Sequence, residues 1–178
     1  MSKRTWMLAA LAALLLPLAV WAAAAAATKP EAHATKPAAH AAAPMHHTVM
    51  KADDLKWGPV PPVFSAGAQM AVLQGDPGKA GEYTVRLSAP DGYKVAPHWH
   101  PTTENVTVIS GTFHVGAGDE MDTTKGDAVS AGGFVSLPAH MHHYAWMEGA
   151  TVVQVHGMGP FKLTYVHAAD DPRMAKKP

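Results

Sequence analysis

The stretch that decides the reading is 92–111, GYKVAPHWHPTTENVTVISG. Its first half has the composition of a short strand and ends in His98-Trp99-His100. Strand side chains alternate between faces, so residues two apart share one. Both imidazoles therefore face a single point. Glu104 lies six residues past His98 and keeps that parity, provided Pro101 and the two threonines turn the chain so that the next strand returns alongside. A second histidine cluster, His140, His142 and His143, stands in 138–143, PAHMHH, at the start of another candidate strand. Three imidazoles and one carboxylate make a mixed nitrogen and oxygen donor set suited to borderline divalent ions: Mn, Fe, Ni, Cu or Zn.

Outward from this stretch the pattern is one of short apolar and β-branched segments. Candidate strands are 69–73, 82–87, 94–98, 105–109, 112–115, 134–137, 142–147, 151–156 and 162–166. Asp76-Pro77-Gly78, Pro90-Asp91-Gly92, Ser110-Gly111, Gly132-Gly133 and Glu148-Gly149 punctuate them. Short strands with turn signals about 8 to 12 residues apart predict an antiparallel sandwich or small barrel. Helical periodicity is absent apart from one expected turn at 52–56, with Asp53 and Asp54 as candidate caps. Residues 151–165 read as a core strand pair turning between Gly157 and Pro160.

The pattern Gly92-x5-His98-x-His100-x3-Glu104-x6-Gly111 matches, position for position, the first motif of the cupin superfamily. At this chain's residue frequencies the five fixed positions coincide by chance with a probability on the order of 10⁻⁶ per start site. The second cupin motif, G-x5-P-x-G-x2-H-x3-N, is met by Gly132, Pro138 and His143, with His140 in place of the glycine and Met147 in place of the asparagine. The chain thus resembles a single-domain, RmlC-like cupin over roughly 69–166.

That resemblance implies an all-β fold, a double-stranded β-helix or jelly-roll barrel. It also implies one divalent metal near a barrel mouth, held by His98, His100, Glu104 and His143. Four protein ligands on an octahedral ion leave two positions for water, oxygen or a small-molecule substrate. The implied activity is that of a dioxygenase-like oxidoreductase, with a non-enzymatic module for a small ligand or metal as the alternative. Likeness to other cupins also implies a homodimer.

His140 and His142 compete with His143 for the last ligand position. If a strand opens at His143, His142 points to the opposite face, and His140 reads as an exposed turn residue. His114 and His156 lie within candidate strands and read as hydrogen-bonded structural residues. Trp99, Tyr144 and Trp146 have outward parity; Phe113, Met147 and Gln154 are candidate pocket walls.

Of the 178 residues, 14 are basic and 14 acidic, but from Thr48 onward ten basic residues face thirteen acidic ones, a net of about −3. Nucleic-acid phosphates find little to bind there. With no cysteine, disulfides and thiolate metal sites are excluded. Lys3 and Arg4 followed by the apolar run 6–20 and by small residues form the pattern of a secretory signal peptide, assigned to 1–24. A low-complexity linker, 25–50, carries the near-repeat TKPEAHA and TKPAAHA, with His33, His40, His46 and His47 as a candidate loose metal collector. The cupin domain is expected at 51–168 and a C-terminal tail at 169–178. The expected location is periplasmic or secreted, with no stable membrane insertion after processing. Amino-terminal sequencing of the mature chain from its host is expected to return a start between Trp21 and Ala27; an intact Met1 would instead fit the alternative reading of the apolar run as a single membrane anchor.

Overall fold

Alternation of apolar and polar residues folds the described part of the chain, residues 47–174 of a computed structural model, into antiparallel strands. They are β1 (Gly58–Pro59), β2 (Gln69–Gln74), β3 (Gly81–Ala89), β4 (Lys94–Trp99), β5 (Glu104–Ala117), β6 (Asp127–Ser130), β7 (Phe134–Leu137), β8 (His143–Gly159) and β9 (Thr164–Tyr165). The expected signal peptide, the linker up to residue 46 and the tail from residue 175 lie outside the described residues. Among the described residues, no helix is long and apolar enough to cross a membrane.

Two long strands carry the fold. β5 and β8 pair along nearly their whole lengths, from Glu104↔Gly157 to Ala117↔His143. The second half of β8 also pairs with β3, and the first half of β5 with β7, which extends one side as β1-β2-β3-β8-β5-β7. The first half of β8 pairs with β4, and the second half of β5 with β6, giving the other side, β9-β4-β8-β5-β6. The sheet therefore curls on itself as a jelly roll. Its inner face carries Val85, Val106, Val108, Phe113, Met147, Val153 and Val155, all buried. Each such side chain contributes roughly 1.5–3 kcal/mol on leaving water.

Where the curl bends, the register of β5 on β8 shifts between Val108 and Thr112. Gly111 sits there at φ +76°, and the buried Thr151 hydroxyl donates to the Thr112 carbonyl at 3.2 Å. This corrects the reading of Ser110-Gly111 and Glu148-Gly149 as turns between separate strands. They are bends facing each other inside continuous strands, so 105–109 and 112–115 are one strand, and 142–147 and 151–156 another.

Three further expectations change. The segment after Pro160 does not fold back on β8; β9 crosses to β4, pairing Tyr165 with His98 and Thr164 with Trp99. The turn near residue 52 is a short 3-10 turn, Ala52–Asp54, preceded by Lys51; Asp53 and Asp54 lie within it and no side chain caps it. β1 and β6 were not expected: one is two residues long and ends in proline, the other is an exposed edge strand with little apolar alternation.

A Cβ at Gly111 would meet the Thr151 hydroxyl and lie 2.6 Å from the Ala150 carbonyl oxygen, in a left-handed backbone. Gly111→Ala is therefore expected to cost about 2–4 kcal/mol, from left-handed strain plus overpacking. Urea denaturation measures it, and a loss below about 1 kcal/mol would show that the bend does not depend on glycine.

Candidate metal centre

The candidate site forms where β4 ends and β5 and β8 begin. His98, near the end of β4, is flanked in the sheet by His143 on one side and Tyr165 on the other. His143 opens β8, His100 follows β4, and Glu104 opens β5 after the short turn through Pro101. Strand alternation turns His98 and His100 the same way, and sheet pairing brings His143 beside them.

The three histidines are 2–4% exposed. Their ring centroids lie 4.2 Å (His98–His143), 5.0 Å (His98–His100) and 5.3 Å (His100–His143) apart. One ring nitrogen from each falls within 4.8 Å of the others. Glu104 Oε2 lies 3.5 Å from His100 Nε2 and 3.7 Å from His143 Nε2, close enough for ion pairing and too long for a good hydrogen bond.

Backbone carbonyls fix the tautomer of every ring. His98 Nδ1 lies 2.7 Å from the Ala96 carbonyl oxygen, His100 Nδ1 2.7 Å from that of Lys162, and His143 Nδ1 2.9 Å from that of Met141. A carbonyl only accepts, so each Nδ1 carries the proton and donates it. In the neutral ring Nε2 is then a bare lone pair. His100 Nε2 and His143 Nε2 are buried with no hydrogen-bond partner. Leaving such a group unmatched costs about 1–3 kcal/mol. A divalent cation is the partner whose chemistry fits, and it wants this state of the ligands, with Nδ1–H oriented by a second group.

For His98 and Glu104 the electrostatics agree. Burial, reinforced by the neighbouring His143 and His100 rings, pushes His98 down to about 3, so it is neutral near pH 7. Burial would raise the Glu104 carboxyl, but the facing His100 and His143 outweigh it and hold Glu104 below the ordinary carboxylate range, as an anion. Burial disfavours charge on His100, and Glu104 overcomes this to raise it.

Of the competing histidines only His143 joins the group. His142 faces away, with Nδ1 2.6 Å from Asp119 Oδ1. His140 is exposed and holds φ +63°, the one positive-φ residue other than glycine among the described residues, and its N–H donates to the His100 carbonyl at 2.8 Å. It thus takes the left-handed turn that the motif's glycine would provide, and the departure from the motif leaves His143 beside His98 and His100. His114 stacks on Trp146 at 4.6 Å and pairs with Glu148 at 2.9 Å, outside the site. His156 pairs in the sheet with Thr84 and Asn105 and borders an outer cleft. Trp99 packs on His140, and Tyr144 lies along Trp146 away from the core clusters.

Phe113 and Met147 do line the cavity in front of the imidazoles, which has a volume of about 40 Å³. Gln154 does not; it accepts from Arg86 Nε at 3.2 Å on the other face of β8, because its parity is opposite to that of Val153 and Val155. A second cavity of about 40 Å³ adjoins the first and shares Glu104, Phe64, Leu87 and Val155 with it. Phe64, Tyr83, Phe161 and Leu163 complete these walls and were not expected; the sequence offers only scattered aromatics beside prolines as a signal for them.

Residues 45–162 match the ChrR cupin-like domain. The chain belongs to this cupin family. Solved cupin structures share the fold. A candidate acetylacetone dioxygenase from Methylibium petroleiphilum PM1 superposes with a TM-score of 0.57 at 22% identity, over 73% of this chain and 88% of that one. The polyketide cyclase RemF from Streptomyces resistomycificus gives 0.59 at 15% identity, over 71% and 90%. An acetylacetone dioxygenase from Acinetobacter johnsonii gives 0.54 at 16% identity, over 71% and 81%. No curated protein matches this cupin.

The His98 shift sets a pH dependence. Below the ordinary histidine value of 6.5 the unfolded chain takes up a proton that folded His98 refuses until about 3, so its neutrality costs stability as pH falls through that window. His100, shifted the other way, opposes this. The metal-free chain and His98→Gln are therefore expected to differ in slope: between pH 6.5 and 5 the wild type loses up to about 1 kcal/mol per pH unit more than the variant. Parallel stability curves from chemical denaturation would contradict the assignment of a neutral buried His98.

Proposed function

We infer that this cupin holds one divalent transition ion on His98, His100, Glu104 and His143 and is an oxidoreductase of the dioxygenase type acting on a small organic molecule. One observation carries the reading: two buried imidazole lone pairs without partners, on rings whose other nitrogens are spoken for, converge with a third ring and an anionic carboxylate. Three neutral imidazoles and one carboxylate against a divalent ion leave a net charge of about +1. Bound there, the ion would supply Lewis acidity to an oxygen donor entering its open positions.

The chain's own residues would do the rest. Ala96, Lys162 and Met141 hold the rings in their ligating tautomer, and the walls of Phe113, Met147 and Val106 exclude bulk water. Glu104 is the one carboxylate that lines both inner cavities; held ionised well below the ordinary carboxylate range, it is suited to bind the ion as an anion and not to accept a ligand's proton. The acetylacetone dioxygenases among the structural neighbours support an oxygen-using reaction on a compact substrate. Export is part of the proposal and rests on the amino-terminal pattern.

Elemental analysis of protein purified from its host is expected to give about one transition ion per folded chain. His143→Ala and His100→Ala should each weaken binding roughly 100-fold or more, beyond the 10–100-fold typical of losing a ligand's supporting partner. His142→Ala should leave it unchanged. Equal losses from the His142 and His143 variants would break the ligand assignment. Oxygen uptake by the loaded protein with 2,4-pentanedione, catechol and quercetin then separates an oxidoreductase from a binding module.

A further inference from the structure

Three consecutive residues stand between solvent and the imidazoles, each with a different contact. Phe161 borders both an open surface groove of about 600 Å³ and the small cavity beside Glu104. Its ring stacks on Phe64 at 6.0 Å, meets Tyr83 edge-on at 6.1 Å and lies 5.2 Å from His100. Lys162 turns its carbonyl inward to accept from His100 Nδ1. Leu163 walls both the groove and the cavity in front of the imidazoles.

Residues 160–163 belong to no strand, and the Phe161 N–H donates to the Pro77 carbonyl at 2.7 Å. The other walls of the two cavities come largely from strands locked by ladder hydrogen bonds. Each cavity, at about 40 Å³, has room for roughly two or three waters at ~15 Å³ each. An organic molecule reaches Glu104 and the imidazoles only if a wall yields; the walls outside the ladders are Pro61 and Phe64, Pro77 and residues 160–163, and of these only 160–163 also hydrogen-bonds an imidazole, through the Lys162 carbonyl.

We propose that residues 160–163 are the entrance strap of the site, with Phe161 as its specificity-determining ring, and that the strap admits small molecules with an uncharged, apolar body. The cavity behind Phe161 is walled by Pro61, Met70, Pro77, Val85, Leu87 and Val155, and its one charged side chain is Glu104. Lysine and arginine line neither inner cavity. Lys162 and Arg173 border only the outer groove, and Arg173 is engaged by Asp171 at 2.6 Å. A sugar or phosphorylated ligand would leave its hydroxyls or charges unmatched there, which selects against it. The polar side chains at the cavity behind Phe161 are only Glu104 and Tyr83, so the ligand's few polar atoms must meet those or the imidazoles.

The strap has a second consequence. His98 and His143 donate to carbonyls two residues away within their own segments, whereas His100 donates to a carbonyl 62 residues distant. Displacing the strap therefore disturbs one imidazole of the three.

The ligand class deepens the functional reading above, so its test uses the metal-free chain first, where failure of metal binding and failure of the strap separate. The probes are benzyl alcohol, 4-tert-butylbenzyl alcohol and D-ribose, read by ¹³C-methyl NMR of methionine. Met70 reports the inner cavity, Met147 the space before the imidazoles, and the exposed Met158 and Met174 serve as references. Benzyl alcohol is expected to shift Met70 and Met147 and to move the His100 ring ¹⁵N signals; D-ribose is expected to shift none of them. Phe161→Ala should bind the tert-butyl probe at least tenfold more tightly than the wild type, while Phe161→Leu, which keeps most of the apolar wall, falls between. Ribose binding at Met70, benzyl alcohol perturbing only Met158 or Met174, still His100 signals on ligand binding, or one size cut-off shared by wild type and both variants would overturn the proposal.

Discussion

The contact on which the site depends is the hydrogen bond from each buried imidazole's Nδ1 to a backbone carbonyl. Without it a neutral histidine is free to present either nitrogen, and a cluster of three would satisfy itself with internal hydrogen bonds. With it each ring is a donor outward and a bare lone pair inward, and the interior is left with more acceptors than protons. Glu104 adds acceptors and no donors, since its carboxyl is held ionised. A folded chain that concentrates unpaired acceptors in its core is incomplete by itself, and on the proposed reading a cation completes it. Those carbonyls come from within β4, from the turn before β8 and from the 160–163 crossover, so the jelly-roll topology sets the chemistry of the rings as well as their positions.

The same topology explains why the ligands come from two distant stretches. β4 and β8 are neighbours in the sheet although His98 and His143 are far apart in sequence, and their direct pairing puts two rings 4.2 Å apart without any loop having to place them. A site built on adjacent strands inherits the rigidity of the ladder. His100 and Glu104, one just past β4 and the other opening β5, have less of that support, and each leans on something else: the Lys162 carbonyl for the ring, the imidazoles themselves for the carboxylate.

What could be read from the residues was whatever follows from period and spacing. Parity along a strand put His98, His100 and Glu104 together and turned His142 away from His143, because two-residue alternation is a local rule. The barrel class followed from turn spacing in the same way. Local rules failed where a long-range partner decides. Gly111 and Gly149 look like hairpin turns until β5 and β8 are seen to bend against each other. The segment after Pro160 looks like a returning strand until β9 is found on β4. Gln154 was placed in the pocket although its parity opposes that of Val153 and Val155; the alternation rule, applied there too, would have sent it outward. His140 departs from the cupin pattern at a position defined by backbone conformation. A left-handed residue followed by a good ligand still makes the turn, at a strain of about 1–2 kcal/mol that the surrounding sheet absorbs.

Phe161 and Lys162 were invisible to pattern reading for a related reason. They lie in an irregular connection, where neither strand nor helix period applies, and their importance comes from what they touch across the barrel mouth. The Phe161 ring packs against His100 while the next residue's carbonyl orients that same imidazole. One short segment thus controls both the apolar barrier in front of the site and the direction of one lone pair within it. The His98 and His143 rings take their carbonyl partners from their own segments, and the His100 ring does not. If residues 160–163 act as the proposed strap, access from outside and the orientation of His100 are coupled through where that segment sits.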